Sequence, residues 1–133
     1  MIPPVVLGAQ PGERVLDLAA APGSKTTQLS GMMQNTGLLV ANDSSVPRMK
    51  ALTANLERIG TINTVITQLA GQRLGRLLPS YFDRVLLDAP CTAEGTIAKS
   101  PEALIRWSLA EAALMTARLT KRDPKVAVSK GLN

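Results

Sequence analysis

The stretch Asp17–Leu29, with the sequence DLAAAPGSKTTQL, constrains the fold of this chain more than any other part of it. A short apolar run, Val15 and Leu16, leads into it, and a helix is predicted to begin at about Ser24 or Lys25. An apolar strand, a turn of small residues and a helix form the first unit of a nucleotide-binding α/β sheet, in which a ligand lies on the N-terminus of the helix. The small side chains of the turn let the backbone approach a bound molecule closely.

This turn does not fit the two better-known phosphate-binding motifs. A P-loop requires two glycines ahead of its Lys-Thr pair, and Ala19 and Ser24 stand in their places before Lys25 and Thr26. The dinucleotide motif G-x-G-x-x-G is also missing from the sequence. An acidic strand end followed by a small-residue loop instead suits a cofactor that has a charged amino-acid end and a ribose. S-adenosylmethionine meets that description.

Length and composition favour one globular domain. The chain is 45% hydrophobic, which is enough to form a core. Its 133 residues suffice for one domain and are too few for two. We therefore expect one domain over residues 1–133. No apolar run approaches the ~20 residues of a membrane span, and the N-terminus has no signal-peptide pattern. Together with the lone cysteine, Cys91, these features predict a cytoplasmic protein. Because the chain has no histidine, Ser-His-Asp catalysis and His-based metal sites are excluded, and no metal is expected.

The positive charge is concentrated near the end of the sequence. Net charge is +5. Most of this excess comes from a segment that contains a single acid, Asp123, and five basic residues: Arg118, Lys121, Arg122, Lys125 and Lys130. Such a segment could contact the phosphates of a nucleic acid, or it could be a solvated terminal segment.

Hydrophobic patterning predicts strands that alternate with helices. The predicted strands are 14–18, 38–41, 64–67, 84–87 and a short fifth at 126–129; the predicted helices are 24–33, 46–59, an amphipathic piece at 71–78, and 100–119. No element is assigned to the apolar, proline-containing segment 1–10. Alternating strands and helices imply a parallel sheet with helices on both faces.

Three acidic residues lie at or just beyond the ends of predicted strands. Asp17, Asp43 and Asp88 each lie where a strand ends, and ligands of such sheets bind outside these carboxyl ends. The spacing of Asp43 from Asp17 is typical of a ribose-binding acid. Each of them alone could be a helix cap or a loop acid. Their agreement over three strands predicts a ligand site.

A family resemblance makes this prediction specific. The segment LLDAPCTAEGTI at 86–97, the loop 17–25 and Ala41-Asn42-Asp43 together resemble the Sun/nucleolar-protein family of RNA cytosine-C5 methyltransferases, of the bacterial RsmF/RsmB-like type. The resemblance runs from Ile2 to about Ser108. It implies a Rossmann-like methyltransferase fold with a mostly parallel sheet, here lacking the last strands. It also implies S-adenosylmethionine as cofactor and RNA, in particular ribosomal RNA, as partner.

The chemistry of the family explains the residue types in these motifs. C5 of cytosine becomes nucleophilic enough to take a methyl group only after a thiolate has added to C6, which is covalent catalysis. An acid at N3 assists that addition. The resemblance assigns this acid to Asp88, associates Cys91 with product release, and gives the attack on C6 to a second cysteine in a later Thr-Cys motif. It assigns cofactor contacts to the loop and to two strand-end acids: Ala19, Ala20, Ala21, Pro22, Gly23, Ser24, Lys25, Asp43 and Asp88.

Two departures from the family pattern leave alternatives open. Ala70-Gly71 stands where the family has Asp-Gly, and no cysteine follows Cys91 in the sequence, with Lys130-Gly131 where the Thr-Cys nucleophile is expected. The sequence therefore reads as a truncated catalytic core or a decayed copy of one. One alternative is a pseudoenzyme that binds S-adenosylmethionine or RNA without turnover. Another is an enzyme in which Cys91 itself attacks C6, as in DNA cytosine methyltransferases.

Overall fold

The computed structural model describes residues 2–89 and 119–130, with side chains for 2–88 and Leu119. Along the chain the elements are α1 (Ile2–Leu7), β1 (Arg14–Asp17), α2 (Ser24–Met32), β2 (Leu38–Asn42), α3 (Val46–Ile59), β3 (Thr64–Thr67), α4 (Gly71–Leu77), β4 (Phe82–Ala89) and β5 (Thr120–Lys130). In this part of the chain no helix is long and apolar enough to cross a membrane.

The described strands form one parallel sheet in the order β3-β2-β1-β4-β5. Its central strand, β1, pairs with β2 on one side and with β4 on the other, so that Asp17 is opposite both Ala41 and Leu86. Because all strands run the same way, their carboxyl ends meet at one edge of the sheet. The loops that follow β1, β2 and β3 therefore lie side by side.

Apolar side chains cover both faces of the sheet. Val15 packs with Leu29 and Met33 of the α2 region, whereas its neighbour Leu16 packs with Leu74 of α4 and with Leu119. Successive strand residues point to opposite faces, so these clusters lie on opposite sides of the sheet. This arrangement confirms the predicted α/β fold with helices on both faces.

Most element bounds agree with the sequence prediction. α3 and β3 have the predicted bounds, and Gly60 ends α3 in the left-handed conformation, at φ 75°. β4 and β5 are longer than predicted, because the register of the sheet extends from Phe82 opposite Thr120 to Ala89 opposite Lys130. The predicted helix at 100–119 lies outside the described residues except for Leu119.

Helix α1 was not predicted, and the structure corrects that omission. Pro3 and Pro4 lie in its first turn, where backbone N–H groups have no helical partner and proline is tolerated. Arg84 Nη1 donates to the carbonyl oxygen of Leu7 at 2.7 Å and satisfies one acceptor at the end of the helix. The sequence shows only two prolines here, and the helix that contains them is supported by a contact with Arg84, which is distant in sequence.

Candidate functional site

The loop 18–23 lies across the carboxyl ends of β1, β2 and β4 and leads into α2. Its first turn is fixed by backbone hydrogen bonds: Leu18 N donates to Leu86 O at 2.9 Å, and Ala20 N donates to Asn42 O at 2.8 Å. Farther along, Asn55 Nδ2 of α3 donates to Pro22 O at 2.8 Å. The loop is thus held by three different elements, β4, β2 and α3, without the help of a ligand.

Gly23 turns the loop into α2. Its φ of 107° belongs to the left-handed region, and a Cβ at this position would lie 3.0 Å from Leu52 Cδ1. Both facts favour glycine. Gly23 is also the N-cap of α2, which has no side-chain capping hydrogen bond. The first N–H groups of α2, from Ser24 onward, are therefore available to an anionic group placed at this edge of the sheet.

Asp17 is a fully buried acid at the end of β1. Thr26 Oγ1 donates to Asp17 Oδ2 at 2.7 Å, while Asp17 Oδ1 is buried and has no hydrogen-bond donor among the described residues. Burial raises the pKa of Asp17 to about 7; the hydrogen bonds from Thr26 and from the backbone N–H group of Ala19 and the charge of Lys25 oppose this shift, and the charge of Asp88 adds to it. One oxygen of this buried carboxyl group thus lacks a hydrogen-bond donor within the described residues.

Asp88, near the end of β4, is paired with the first turn of α2. Lys25 Nζ forms an ion pair with Asp88 Oδ2, and both side chains are largely buried. Asp88 Oδ1 has no hydrogen-bond donor within the described part of the chain. α2 is therefore bonded to two strand ends, by Thr26 to β1 and by Lys25 to β4.

Asp43, one residue beyond β2, is bonded to the same loop. Its Oδ2 accepts from Ala21 N at 3.1 Å, and its Oδ1 accepts from Ser45 N at 2.9 Å. Arg48 Nη1 lies 3.5 Å from Asp43 Oδ2, and Arg48 Nη2 donates to the carbonyl oxygen of Ala21. Although its side chain is only 3% exposed, Asp43 borders the loop that leads into α2.

Two residues of this edge were missed by the sequence analysis. Arg48 could have been predicted to pair with Asp43, since it is a basic residue in the first turn of α3, five positions after that acid. Asn42 was quoted only as a neighbour of Asp43, yet its buried amide makes four hydrogen bonds with residues at the ends of the two neighbouring strands, β1 and β3. The sequence carries no separate signal for those bonds.

The structure brings most of the predicted site residues together. Residues 19–25, in the loop and the first turn of α2, share one edge of the sheet with Asp17, Asp43 and Asp88, as the position of these acids at strand ends predicts. Ala70 lies at the same edge of the sheet. It is the N-cap of α4, and its carbonyl oxygen accepts from Arg73 N and Leu74 N. Cys91 lies outside the described residues, so its predicted part in the chemistry stays a prediction.

Known proteins with this sequence pattern include a bacterial ribosomal RNA small subunit methyltransferase F. The protein of that name from Shewanella sediminis is 49% identical to this chain over 115 residues, which are 84% of this chain and 24% of the relative. A second, from Vibrio cholerae, is 55% identical over 97 residues and 73% of this chain. The chain thus spans about a quarter or less of the length of these curated relatives.

Solved structures share the fold. The structure described as PH0851 has a TM-score of 0.69 at 37% identity and covers 90% of this chain and 30% of its own. NSun6 from Pyrococcus horikoshii, solved with SFG, has a TM-score of 0.62 at 33% identity and covers 68% of this chain and 23% of its own.

The family profile described as "16S rRNA methyltransferase RsmB/F" matches residues 4–126 of this sequence. That range includes the loop after β1, Asp43 and the Asp-Ala-Pro-Cys segment that begins at Asp88. The resemblance drawn from these motifs is confirmed, and the chain belongs to the RsmB/F family of 16S rRNA methyltransferases.

Proposed function

We propose that this chain carries the S-adenosylmethionine-binding catalytic part of an RNA cytosine-C5 methyltransferase that acts on ribosomal RNA. Its membership of the RsmB/F family supports the reaction class, and the names of its relatives support ribosomal RNA as the substrate. A related structure was solved with SFG, an analogue of S-adenosylmethionine. The proposal includes a single domain over residues 1–133 and a cytoplasmic location, where ribosomal RNA is found.

The observation that carries the proposal is a pair of buried carboxylate oxygens that have no donor within the described residues, beside a helix whose N-cap, Gly23, offers no side-chain cap. Asp17 Oδ1 and Asp88 Oδ1 have no hydrogen-bond donor in the described part of the chain. A buried acceptor without a donor is costly, so such atoms point to a donor that a ligand supplies. The amino-acid end of S-adenosylmethionine offers an ammonium group for a carboxylate and a carboxylate for the N–H groups of α2.

Asp43 suits the ribose of the same cofactor. Each carboxylate oxygen can accept two hydrogen bonds. Oδ2 of Asp43 already accepts from Ala21 N and pairs with Arg48, whereas Oδ1 accepts from Ser45 N and keeps capacity for one more bond. Hydroxyl groups bind a carboxylate more strongly than a neutral acceptor. We assign Asp43 to the ribose hydroxyls, with loop 19–25 beside the methionine part.

The Lys25–Asp88 pair suits the base that is methylated. When bound, the cofactor supplies an electrophilic methyl group. Following the family resemblance, we assign Asp88 to N3 of cytosine, and the ammonium group of Lys25 is already paired with its carboxylate. The pair can hold a proton at N3 while a thiol adds to C6, which is the acid assistance that this reaction needs.

Isothermal titration calorimetry with S-adenosylmethionine tests the proposal. We expect micromolar binding by the wild-type chain and binding at least tenfold weaker for Asp43→Ala, because the ribose loses its charged acceptor. Glu57→Ala is the matched control: it also removes one negative charge, from the exposed far end of α3, and should leave binding unchanged. Far-UV circular dichroism establishes that all three proteins are folded. A folded wild-type chain that does not bind the cofactor contradicts the proposal.

Transfer of a radiolabelled methyl group to 16S ribosomal RNA separates catalysis from binding alone. Incorporation at C5 of cytosine supports the enzyme. Cofactor binding without incorporation by these 133 residues favours a binding role for this chain.

A further inference from the structure

We propose that Asn42 is a positioning residue, which holds the loops after β1 and β3 at the spacing that the cofactor requires without touching the cofactor itself. This inference rests on the proposed function, since it assigns those loops to one ligand. It depends on the hydrogen bonds of a single side chain at the end of β2.

The amide of Asn42 bonds to residues from two neighbouring strand ends. Its Nδ2 donates to Leu18 O at 3.2 Å, just after β1, and to Leu69 O at 3.0 Å, in the loop after β3. Its Oδ1 accepts from Thr67 Oγ1 at 2.9 Å and from Leu69 N at 3.0 Å. Both donor positions and both acceptor positions of the amide are thus in use.

The chemistry of these partners requires an amide at position 42. The carbonyl oxygens of Leu18 and Leu69 only accept hydrogen bonds, and the N–H group of Leu69 only donates. A carboxylate has no hydrogen to give, and a hydroxyl group has only one. Asn42 is 1% exposed, so no water replaces a bond that is lost.

The backbone at the same position extends the connection. Asn42 O accepts from Ala20 N at 2.8 Å, and the N–H group of the next residue, Asp43, donates to Thr67 O at 3.1 Å. The loop after β1 and the loop after β3 are therefore both hydrogen-bonded to the end of β2, which also carries Asp43. A ligand that spans these loops binds only when their spacing is right, and Asn42 sets that spacing.

A second buried asparagine provides a matched control. Asn63 lies just before β3, at the opposite edge of the sheet, and is 8% exposed. Its Oδ1 accepts from Ser30 Oγ at 2.9 Å and its Nδ2 donates to Thr36 O at 3.0 Å. Asn42→Asp and Asn63→Asp each remove a buried amide donor and introduce a buried charge, but only the first does so beside the proposed ligand loops.

The test is calorimetry with S-adenosylmethionine on the full 133-residue chain, below the melting temperature of every variant. We expect Asn42→Asp to weaken binding at least tenfold and Asn63→Asp to weaken it less than twofold. Amide hydrogen exchange gives a second readout: in Asn42→Asp the carboxylate no longer donates to Leu18 O, so the N–H group of Ala20 in the same loop should lose protection, while that of Leu39, which donates to Asn63 O, keeps it.

A milder substitution keeps the test decisive if Asn42→Asp does not fold. Thr67→Val removes one donor to Asn42 Oδ1 and should weaken binding about threefold to fivefold, while Thr67→Ser, which keeps the hydroxyl group, should restore wild-type affinity. Wild-type affinity in Thr67→Val or in a folded Asn42→Asp overturns the inference, as does an equal loss in Asn63→Asp. If the wild-type chain does not bind S-adenosylmethionine, the proposed function fails first, and the role of Asn42 fails with it.

Discussion

At the scale of single residues, Asp17 links the stability of the fold to pH. Its pKa is raised to about 7 from an ordinary value of 3.8, chiefly because it is buried. Between these two values the folded chain binds a proton that the unfolded chain has released. Stability from this residue is therefore complete below about pH 4 and is lost as pH rises toward 7.

Asp17→Asn should remove this dependence. The amide keeps an acceptor for Thr26 Oγ1 and carries no charge, so the free energy of unfolding should stay nearly constant between pH 4.5 and 7, where the wild-type value falls by about 3 kcal/mol. Urea denaturation at a series of pH values measures the slope. Equal slopes in the two proteins would show that Asp17 titrates normally in the folded state.

Some site residues can be recognised from the local sequence, whereas the contacts of others form only in the folded protein. The sequence predicts that Asp17, Asp43 and Asp88 lie together, because each stands at or near the carboxyl end of a strand and these ends meet at one edge of a parallel sheet. Nothing local indicated that Lys25 pairs with Asp88, or that Asn42 bonds to Leu69. Those partners are distant in sequence and meet only when the sheet has formed.

At the scale of elements, Arg84 connects α1 to the sheet. Its Nε and Nη2 donate to the two carboxylate oxygens of Glu13, at 2.6 and 2.9 Å, and its Nη1 donates to the carbonyl oxygen of Leu7. Burial alone would raise the pKa of Glu13, but the hydrogen bonds from Arg84 and from Gln10 N, with the charge of Arg84, lower it. The planar guanidinium group satisfies the helix end and the carboxylate together.

Arg84→Met should lower the free energy of unfolding by about 2–4 kcal/mol, because it leaves a partly buried carboxylate and the Leu7 carbonyl oxygen without a donor. Chemical denaturation measures the loss. The double variant Arg84→Met with Glu13→Leu should recover part of it, since no unpaired charge remains. A loss below about 0.5 kcal/mol in the single variant would mean that the contacts of Arg84 with Glu13 and Leu7 contribute little to stability.

At the scale of the whole molecule, cofactor binding and folding are linked. A ligand that binds only the folded state at a hundredfold excess over its Kd stabilises that state by about 2.7 kcal/mol. For a chain of this size the melting temperature should then rise by roughly 8–10 °C with S-adenosylmethionine. Differential scanning calorimetry measures the shift, and Asp43→Ala at the same cofactor concentration should show a much smaller one. An identical rise in both proteins would place the ligand away from Asp43.

The sequence by itself determined the alternation of strands and helices, the family and the positions of the strand-end acids. Periodicity, turn residues and ordered motifs are local properties of the chain, and β3 and α3 were predicted with their observed bounds. Only the tertiary structure decided how α1 is held, how far β4 and β5 pair, and which side chains brace the loops at the site. The physical reason is that these features depend on hydrogen bonds and ion pairs between residues far apart in sequence, and such partners can be identified only once the fold brings them together.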